Sequence, residues 1–148
     1  MLTAKGKYGL KAVVHLASVE PARTTQAIDI AEAHNIPKKF LDAILGDLRG
    51  AGIVLAKKGP GGGYRLARAA DQIKVGAVIR ALDGALAPIA CASRNAYQAC
   101  ADCDVKTCTI RLTMTRVRDA IAEVLDRLTV ADMAAMGDGR NVALMYHI

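Results

Sequence analysis

The chain has 148 residues, enough for one domain with a small extension. Hydrophobic residues make up 53% and aromatics 3%, so the core is aliphatic, and a single-strand nucleic-acid binder that stacks bases on rings is disfavoured. A formal charge of +6 suits a polyanionic partner. No apolar run approaches the roughly 18 residues of a membrane span, and no leader with a cleavage site is visible, so a cytoplasmic protein without a membrane partner is expected.

Residues 2–19 read as a helix, with Tyr8, Ala12 and Leu16 on one face, Val13 and Val19 beside it, and Lys5, Lys7 and Lys11 near its start. Lysines so placed are first of all a solvated face. Pro21 ends the segment. Residues 24–34 read as a second helix, capped by the hydroxyl of Thr24 or Thr25, with Ala27, Ile28, Ile30 and Ala31 apolar and a break at His34-Asn35. Residues 37–49 form a third. Pro37 suits a first turn, and Leu41, Ile44, Leu45 and Leu48 fall at i, i+3, i+4 and i+7. Lys38, Lys39 and Asp42 face outward, and Gly50 and Gly52 end the helix. Two short helices around a tight turn, the second presenting polar residues at its start, form the pattern of a helix-turn-helix.

Residues 53–56 and 64–66 read as short strands. Lys57, Lys58, Gly59, Pro60, Gly61, Gly62 and Gly63 join them in a turn whose glycines permit positive φ and close backbone approach. With Arg65 they make a basic β-wing. A nucleotide phosphate loop is the weaker reading, because no Lys-Ser or Lys-Thr follows the glycines. Residues 74–82 form a fourth helix with Val75, Val78, Ile79 and Leu82 inward, closed by Asp83-Gly84, and residues 85–90 form a linker.

All four cysteines lie in the irregular stretch 91–108: Cys91, Cys100, Cys103 and Cys108, spaced C-x8-C-x2-C-x4-C. Such clustering in a reducing compartment points to metal or redox chemistry. Thiolates suit iron–sulfur clusters and zinc, a four-cysteine tetrahedral zinc site fits the x2 and x4 gaps, and a metal-free disulfide switch is the third possibility. Cys108 stands at a helix N-terminus, which favours its thiolate. From 109 to 128, Ile110, Met114, Val117, Ile121, Val124 and Leu128 recur at spacings of 4, 3, 4, 3 and 4, a seam of coiled-coil type widened by Leu125. Pairing with a second copy is expected, against packing back on the same domain. Residues 129–136 read as a short helix with a Thr129-x-x-Asp132 cap. Residues 137–148 read as a tail. The domain reading is therefore a winged helix-turn-helix unit at 1–82, a linker and sensor loop at 83–108, a dimerisation helix and following helix at 109–136, and a tail. The fold class is mainly α with a small β-wing.

In this order the pieces Thr3-Ala4-Lys5-Gly6-Lys7-Tyr8-Gly9-Leu10, Phe40-Leu41-Asp42 to Leu48-Arg49, Gly52-Ile53-Val54, Lys58-Gly59-Pro60-Gly61-Gly62-Gly63-Tyr64, Val78-Ile79-Arg80-Ala81-Leu82-Asp83-Gly84 and Val117-Arg118-Asp119-Ala120 resemble the Rrf family of winged-helix regulators, the IscR, NsrR and CymR type. The resemblance covers nearly the whole chain. It implies a homodimeric bacterial transcription regulator, not an enzyme, reading palindromic double-stranded DNA, with the third helix in the major groove and the wing in the minor groove. By position, Lys38, Lys39, Phe40, Asp42 and Ala43 stand where base and backbone contacts are expected, and Lys58 where the wing enters the minor groove; Lys5, Lys7, Lys57, Gly59, Pro60, Gly61, Gly62 and Arg65 complete the expected DNA-binding set. Ala43 departs from the hydrogen-bonding residue common there, which implies a different operator preference.

The resemblance also implies a [2Fe–2S] or [4Fe–4S] cluster, with zinc as the alternative. Cys91 and Cys108 match the family's outer cysteines; Cys100 fits its first gap and Cys103 its last. The family's non-cysteine ligands fall here on Lys7 and Arg111, neither of which can serve, so a four-cysteine set or a ligand such as His15 remains. A small redox enzyme built on Cys100-Ala101-Asp102-Cys103 lacks the βαβ context that such a site needs.

Overall fold

The computed structural model describes residues 2–138. Helix α1 (Ala4–Ala17) is capped by Thr3, whose hydroxyl accepts from the Gly6 amide at 3.2 Å. Helix α2 is Ala27–His34, and Asn35 ends it in the left-handed conformation at φ 53°. Helix α3 is Lys38–Gly50, with Pro37 at its N-cap. Strands β1 (Val54–Lys57) and β2 (Gly63–Leu66) pair antiparallel, Val54 opposite Leu66 and Lys57 opposite Gly63. Helices α4 (Val75–Asp83), α5 (Thr109–Arg127) and α6 (Val130–Gly137) follow. Thr129 and Asp132 cap α6 reciprocally, each side chain bonded to the other's backbone amide.

The core is one hydrophobic cluster. Leu41, Ile44, Leu45 and Leu48 of α3 are all fully buried in it, as their spacing requires, together with Val75, Val78, Ile79 and Leu82 of α4. Helix α1 presents Gly6, Gly9, Leu10, Val13 and Leu16 inward. The two glycines let α4 come close. A Cβ on Gly9 would lie 2.0 Å from a methyl of Leu82, and one on Gly6 would lie 2.2 Å from the Asp83 carboxylate. Asp83 in turn binds the Thr3 amide at 2.9 Å, so the start of α1 is locked to the end of α4.

The second helix starts later than residues 24–34 suggest, and neither threonine caps it. Thr25 instead pairs with Tyr64, its amide donating to the Tyr64 carbonyl at 2.9 Å and its carbonyl accepting at 2.8 Å. Thr24 donates its hydroxyl to the Gly61 carbonyl at 2.7 Å. Threonine suits an extended segment as well as a cap, and the unsatisfied groups of the wing decided between the two. The first helix is likewise shorter than 2–19, and Gly50 closes α3 from inside, with Ala51 as C-cap.

The same cluster includes the C-terminal elements. Val75 donates its amide to the Leu128 carbonyl, and Val130 to the Ile73 carbonyl, both at 2.9 Å. Arg80 of α4 grips Asp126 of α5 with two parallel bonds of 2.6 and 2.8 Å. Gly76 makes room, since a Cβ there would lie 2.1 Å from the Asp126 carboxylate. Val130 is fully buried and Met133 packs against the core. Most of the tail read at 137–148 lies outside the described residues; within them, Gly137 ends α6.

The seam read along α5 divides. Ile110, Val117 and Val124 are exposed, at 66%, 38% and 57%. Met114, Ile121 and Leu128 are half-buried, and Leu125 and Leu128 pack against the core. One helix thus offers two apolar stripes, one facing its own domain and one facing outward, where Leu112 (48% exposed) lies beside it.

At the α1–α2 crossing, His15 Nδ1 and His34 Nε2 stand 3.1 Å apart with the rings edge to face. Burial first, then His15 and Lys11, push the His34 imidazole below its ordinary value of 6.5. The folded chain therefore binds protons less readily here than the unfolded chain. The stabilisation is present above the unfolded pKa and is lost as pH falls through the lowered folded one. Urea titrations from pH 7 to 5 should show the unfolding free energy falling with pH, and His34→Gln should flatten that part of the slope.

Candidate DNA face and cysteine site

Helix α3 and the wing form one face. Between them lies a cleft of about 360 Å³ lined by Gln26, Lys38, Asp42, Lys57, Gly59, Gly62 and Tyr64 among others. The wing is pinned against the leader of α2 through the Thr25–Tyr64 pair. Its glycines are required by geometry. Gly63 has φ 145°, and a Cβ there would lie 2.6 Å from the Thr25 carbonyl oxygen; a Cβ on Gly62 would meet the Lys57 carbonyl oxygen at 2.3 Å.

Phe40 packs edge-on to Tyr8 at 5.7 Å and stays 38% exposed. Ala43 and Lys39 are exposed beside it. Two lysines of the expected face are already paired: Lys5 with Asp47 at 2.6 Å, and Lys38 with Asp42 at 2.9 Å. Exposed pairs of this kind are worth only about 0–1 kcal/mol, so an approaching phosphate can exchange with them at little cost. None of the ion pairs among the described residues includes Lys39, Lys57 or Lys58, which keep their charge for an outside partner. Arg65 lies elsewhere. Opposite Leu55 on the wing, it lines a cavity of about 300 Å³ with Ala17, Val19 and Pro21, and it does not line the α3–wing cleft.

The cysteine stretch is irregular apart from a 3₁₀ turn at Ala90–Ala92. Cys100 donates its thiol to the Asp102 carboxylate at 2.6 Å, and the sulfurs of Cys100 and Cys103 and a carboxylate oxygen of Asp102 all lie within 4.8 Å of one another. The Cys108 thiol is a neighbour of Cys103 on the other side. These contacts, that with Cys100 first, keep the Cys103 proton in place and push its pKa up to about 12. Cys108 goes the other way. It is the N-cap of α5, and the Arg111 amide, donating to its sulfur at 3.5 Å, holds its thiol below the usual range against a smaller opposing effect of burial. Cys91 is apart from this group and buried, at 8% exposure.

Arginines of α5 tie the stretch down. Arg111 donates Nε to the Cys91 carbonyl at 2.9 Å and a second guanidinium nitrogen to the Val105 carbonyl at 3.2 Å. Arg118, 13% exposed, donates to the Ala92 carbonyl and to Asp119, whose carboxyl it holds below the ordinary carboxylate range. Arg94 reaches the same carboxylate at 2.9 Å. On sequence alone these arginines read as charges on the outer faces of a coiled-coil helix. No signal short of the folded path of the loop shows that two of them point at its carbonyls. Asp102 carries no signal of its own in the sequence, where it sits between Cys100 and Cys103, and only the fold brings its carboxylate to both sulfurs. His15 meets His34 instead, and no metal-ligand group among the described residues includes it.

Comparison with known proteins agrees with this geometry. The Rrf2 family model, described as an iron-dependent transcriptional regulator, matches residues 2–136. An rrf2-like HTH-type transcriptional regulator of Rhodobacter capsulatus is 41% identical over 142 residues, covering 93% of this chain and 95% of the relative. The structure of CymR, the global cysteine regulator of B. subtilis, superposes with a TM-score of 0.76 at 32% identity, covering 92% of this chain and 97% of that one. T. potens IscR superposes at 0.75 with 30% identity, covering 99% and 96%. With a winged helix built to this pattern and a family match along almost its whole length, the chain belongs to the Rrf2 family of transcriptional regulators.

Proposed function

We propose that this regulator works as a homodimer on a palindromic operator, and that a cysteine-ligated iron–sulfur cluster in the 91–108 stretch controls its grip on DNA. The observation that carries the reading is the gathering of the Cys100 and Cys103 sulfurs with a carboxylate oxygen of Asp102, all within 4.8 Å of one another, close to the Cys108 cap of α5. Soft thiolate donors suit iron–sulfur clusters, and a partly exposed set is open to a redox or nitric oxide signal. When bound, the cluster supplies redox and ligand-exchange chemistry.

The chain's own residues do the rest. Helix α3 enters the major groove and the wing the minor groove. Lys39, Lys57 and Lys58 neutralise phosphates and release counterions, and the narrow minor groove draws Lys58. Asp42 accepts from a cytosine amino group and repels phosphate, so it filters sequence. Ile110, Val117 and Val124 form the outward stripe on which a second copy pairs. Arg111 and Arg118 join the cysteine stretch to α5, so ordering of that stretch biases the position of the dimer helix, a two-state element set by local ligation.

A second reading, a thiol–disulfide switch without metal, draws on the contact of Cys103 with Cys108 and the lowered pKa of the latter. Anaerobic purification separates the two. Coloured protein containing iron and acid-labile sulfide is expected; colourless protein with one zinc per chain, or with no metal, overturns the cluster.

Lys58→Ala should weaken operator binding and lower the slope of log affinity against log salt by about one; an unchanged slope removes Lys58 from the interface. Val117→Glu places a charge on the outward stripe. Sedimentation should find it monomeric, with affinity for the full palindrome falling toward that for a half-site.

A further inference from the structure

Between α4, α5 and the chain that joins them lies a cavity of about 270 Å³ that involves neither the DNA face nor the cysteines. Arg80 of α4 lines it, with Leu86 of the linker, Arg94 of the stretch that follows, and Arg118, Asp119 and Asp126 of α5. Its volume falls just under the roughly 300–1,000 Å³ of a site for a drug-sized ligand, so its occupant is small. At about 100° per residue, Asp119 and Asp126 stand roughly 180–200° around α5 from Val117, on the other side of the helix from the outward apolar stripe.

The lining mixes both signs of charge. It holds three guanidinium groups and two carboxylates, one positive charge in excess. Arg80 closes on both oxygens of Asp126, which satisfies that carboxylate. Asp119 is different. Arg94 and Arg118 send three hydrogen bonds to it, all to Oδ1, and among the described residues none reaches Oδ2. Arg118 holds its carboxyl below the ordinary range, so it stays ionised at neutral pH. Arg94, 72% exposed, engages a single nitrogen in this contact and leaves the rest of its planar fork of donors open. Exposed ion pairs contribute little, so an incoming carboxylate can share Arg94 with Asp119 at small cost. An anion alone is repelled by the aspartates, and a cation alone by the arginines. A zwitterion meets both, and the excess positive charge matches a second carboxylate.

We propose that this cavity binds a small acidic α-amino acid, with the ammonium on Asp119 Oδ2 and the carboxylates on the guanidinium groups of Arg94 and Arg118, and that its occupancy changes operator affinity. The walls belong to the DNA-binding unit, the long helix and the chain leading to the cysteines. A ligand bonded to Arg94 and Asp119 at once ties that chain to α5, and it favours whichever arrangement of the two it binds better. The proposal needs nothing bound at the cysteines and stands apart from the cluster reading.

The test is calorimetric titration of the full chain at fixed ionic strength with L-glutamate, glutarate, which lacks the ammonium, L-alanine, which lacks the second carboxylate, and inorganic phosphate. L-Glutamate should bind saturably at one per chain. Glutarate and L-alanine should each bind about tenfold or more weakly, the effect of losing one charge-assisted hydrogen bond, and phosphate should give no saturable heat. Arg94→Ala should weaken L-glutamate about tenfold. Asp119→Asn keeps an oxygen for the two arginines and removes the charge, so it should bring the L-glutamate and glutarate affinities together, a change that a merely structural residue does not cause. Arg127→Ala removes the same charge from α5 outside the cavity and should bind L-glutamate as the unmutated protein does. Saturating L-glutamate should shift operator affinity about fivefold or more. No saturable binding of L-glutamate, equal binding of glutarate, L-alanine or phosphate, or an equal loss in Arg127→Ala overturns the site. Binding with unchanged operator affinity overturns its coupling to DNA. None of these outcomes bears on iron or sulfide content, which tests the cluster separately.

Discussion

Two backbone hydrogen bonds, Val75 to Leu128 and Val130 to Ile73, join the start of α4 to the end of α5. Each is worth only about 0.5–1.5 kcal/mol net. Their effect is geometric, because they pair segments about fifty residues apart in register and leave α5 one direction to run. Asp126, clasped by Arg80, secures the joint one turn earlier, and Gly76 keeps the space for it. The buried Val130 then anchors α6 in the core shared with α1 and α3. The long helix is thus fixed to the DNA-binding unit at its C-terminal end.

The N-terminal end of α5 is held differently. It carries Cys108 as its cap and Arg111 and Arg118 as arms reaching across to the carbonyls of Cys91 and Ala92. Among the described residues, the side chains buried in the turn beside this end are small, Cys91 and Ala92; the bonds are polar and the other three cysteines half-exposed. One end of the helix is held by an apolar core and the other by charge-assisted hydrogen bonds to a loop. In the proposed function, a change in the loop acts on one end while the other stays put.

The candidate DNA face is anchored in the same sparing way. The wing is held by its pairing with Thr25, by glycines that bring backbone close to backbone, and by the bond from Thr24. Its lysines make no ion pairs among the described residues, whereas Lys5 and Lys38 rest on Asp47 and Asp42. Arg65, on the outer face of the wing, lines a separate cavity with the end of α1. The candidate DNA face is therefore narrower in charge than a count of its basic residues suggests.

The periodicity of α3, the glycine turn between two short strands, the Thr129–Asp132 cap and the length of α5 were all legible in the sequence. Each depends on residues within about one helical turn or one strand pair of one another, where spacing and propensity suffice. The family pattern was legible for the same reason, since it is written in contiguous pieces. Tertiary structure alone decided the rest. Thr24 and Thr25 could cap a helix or extend a sheet, and the open edge of the wing settled it. The α5 seam carried enough apolar residues for two stripes, and only the position of the core showed that Leu125 and Leu128 turn inward while Val117 and Val124 do not. The four cysteines had equivalent chemistry in one dimension; the path of the backbone, held by Arg111 and Arg118, buried Cys91 and brought Cys100 and Cys103 together around Asp102, because side-chain reach depends on distance through space and not along the chain.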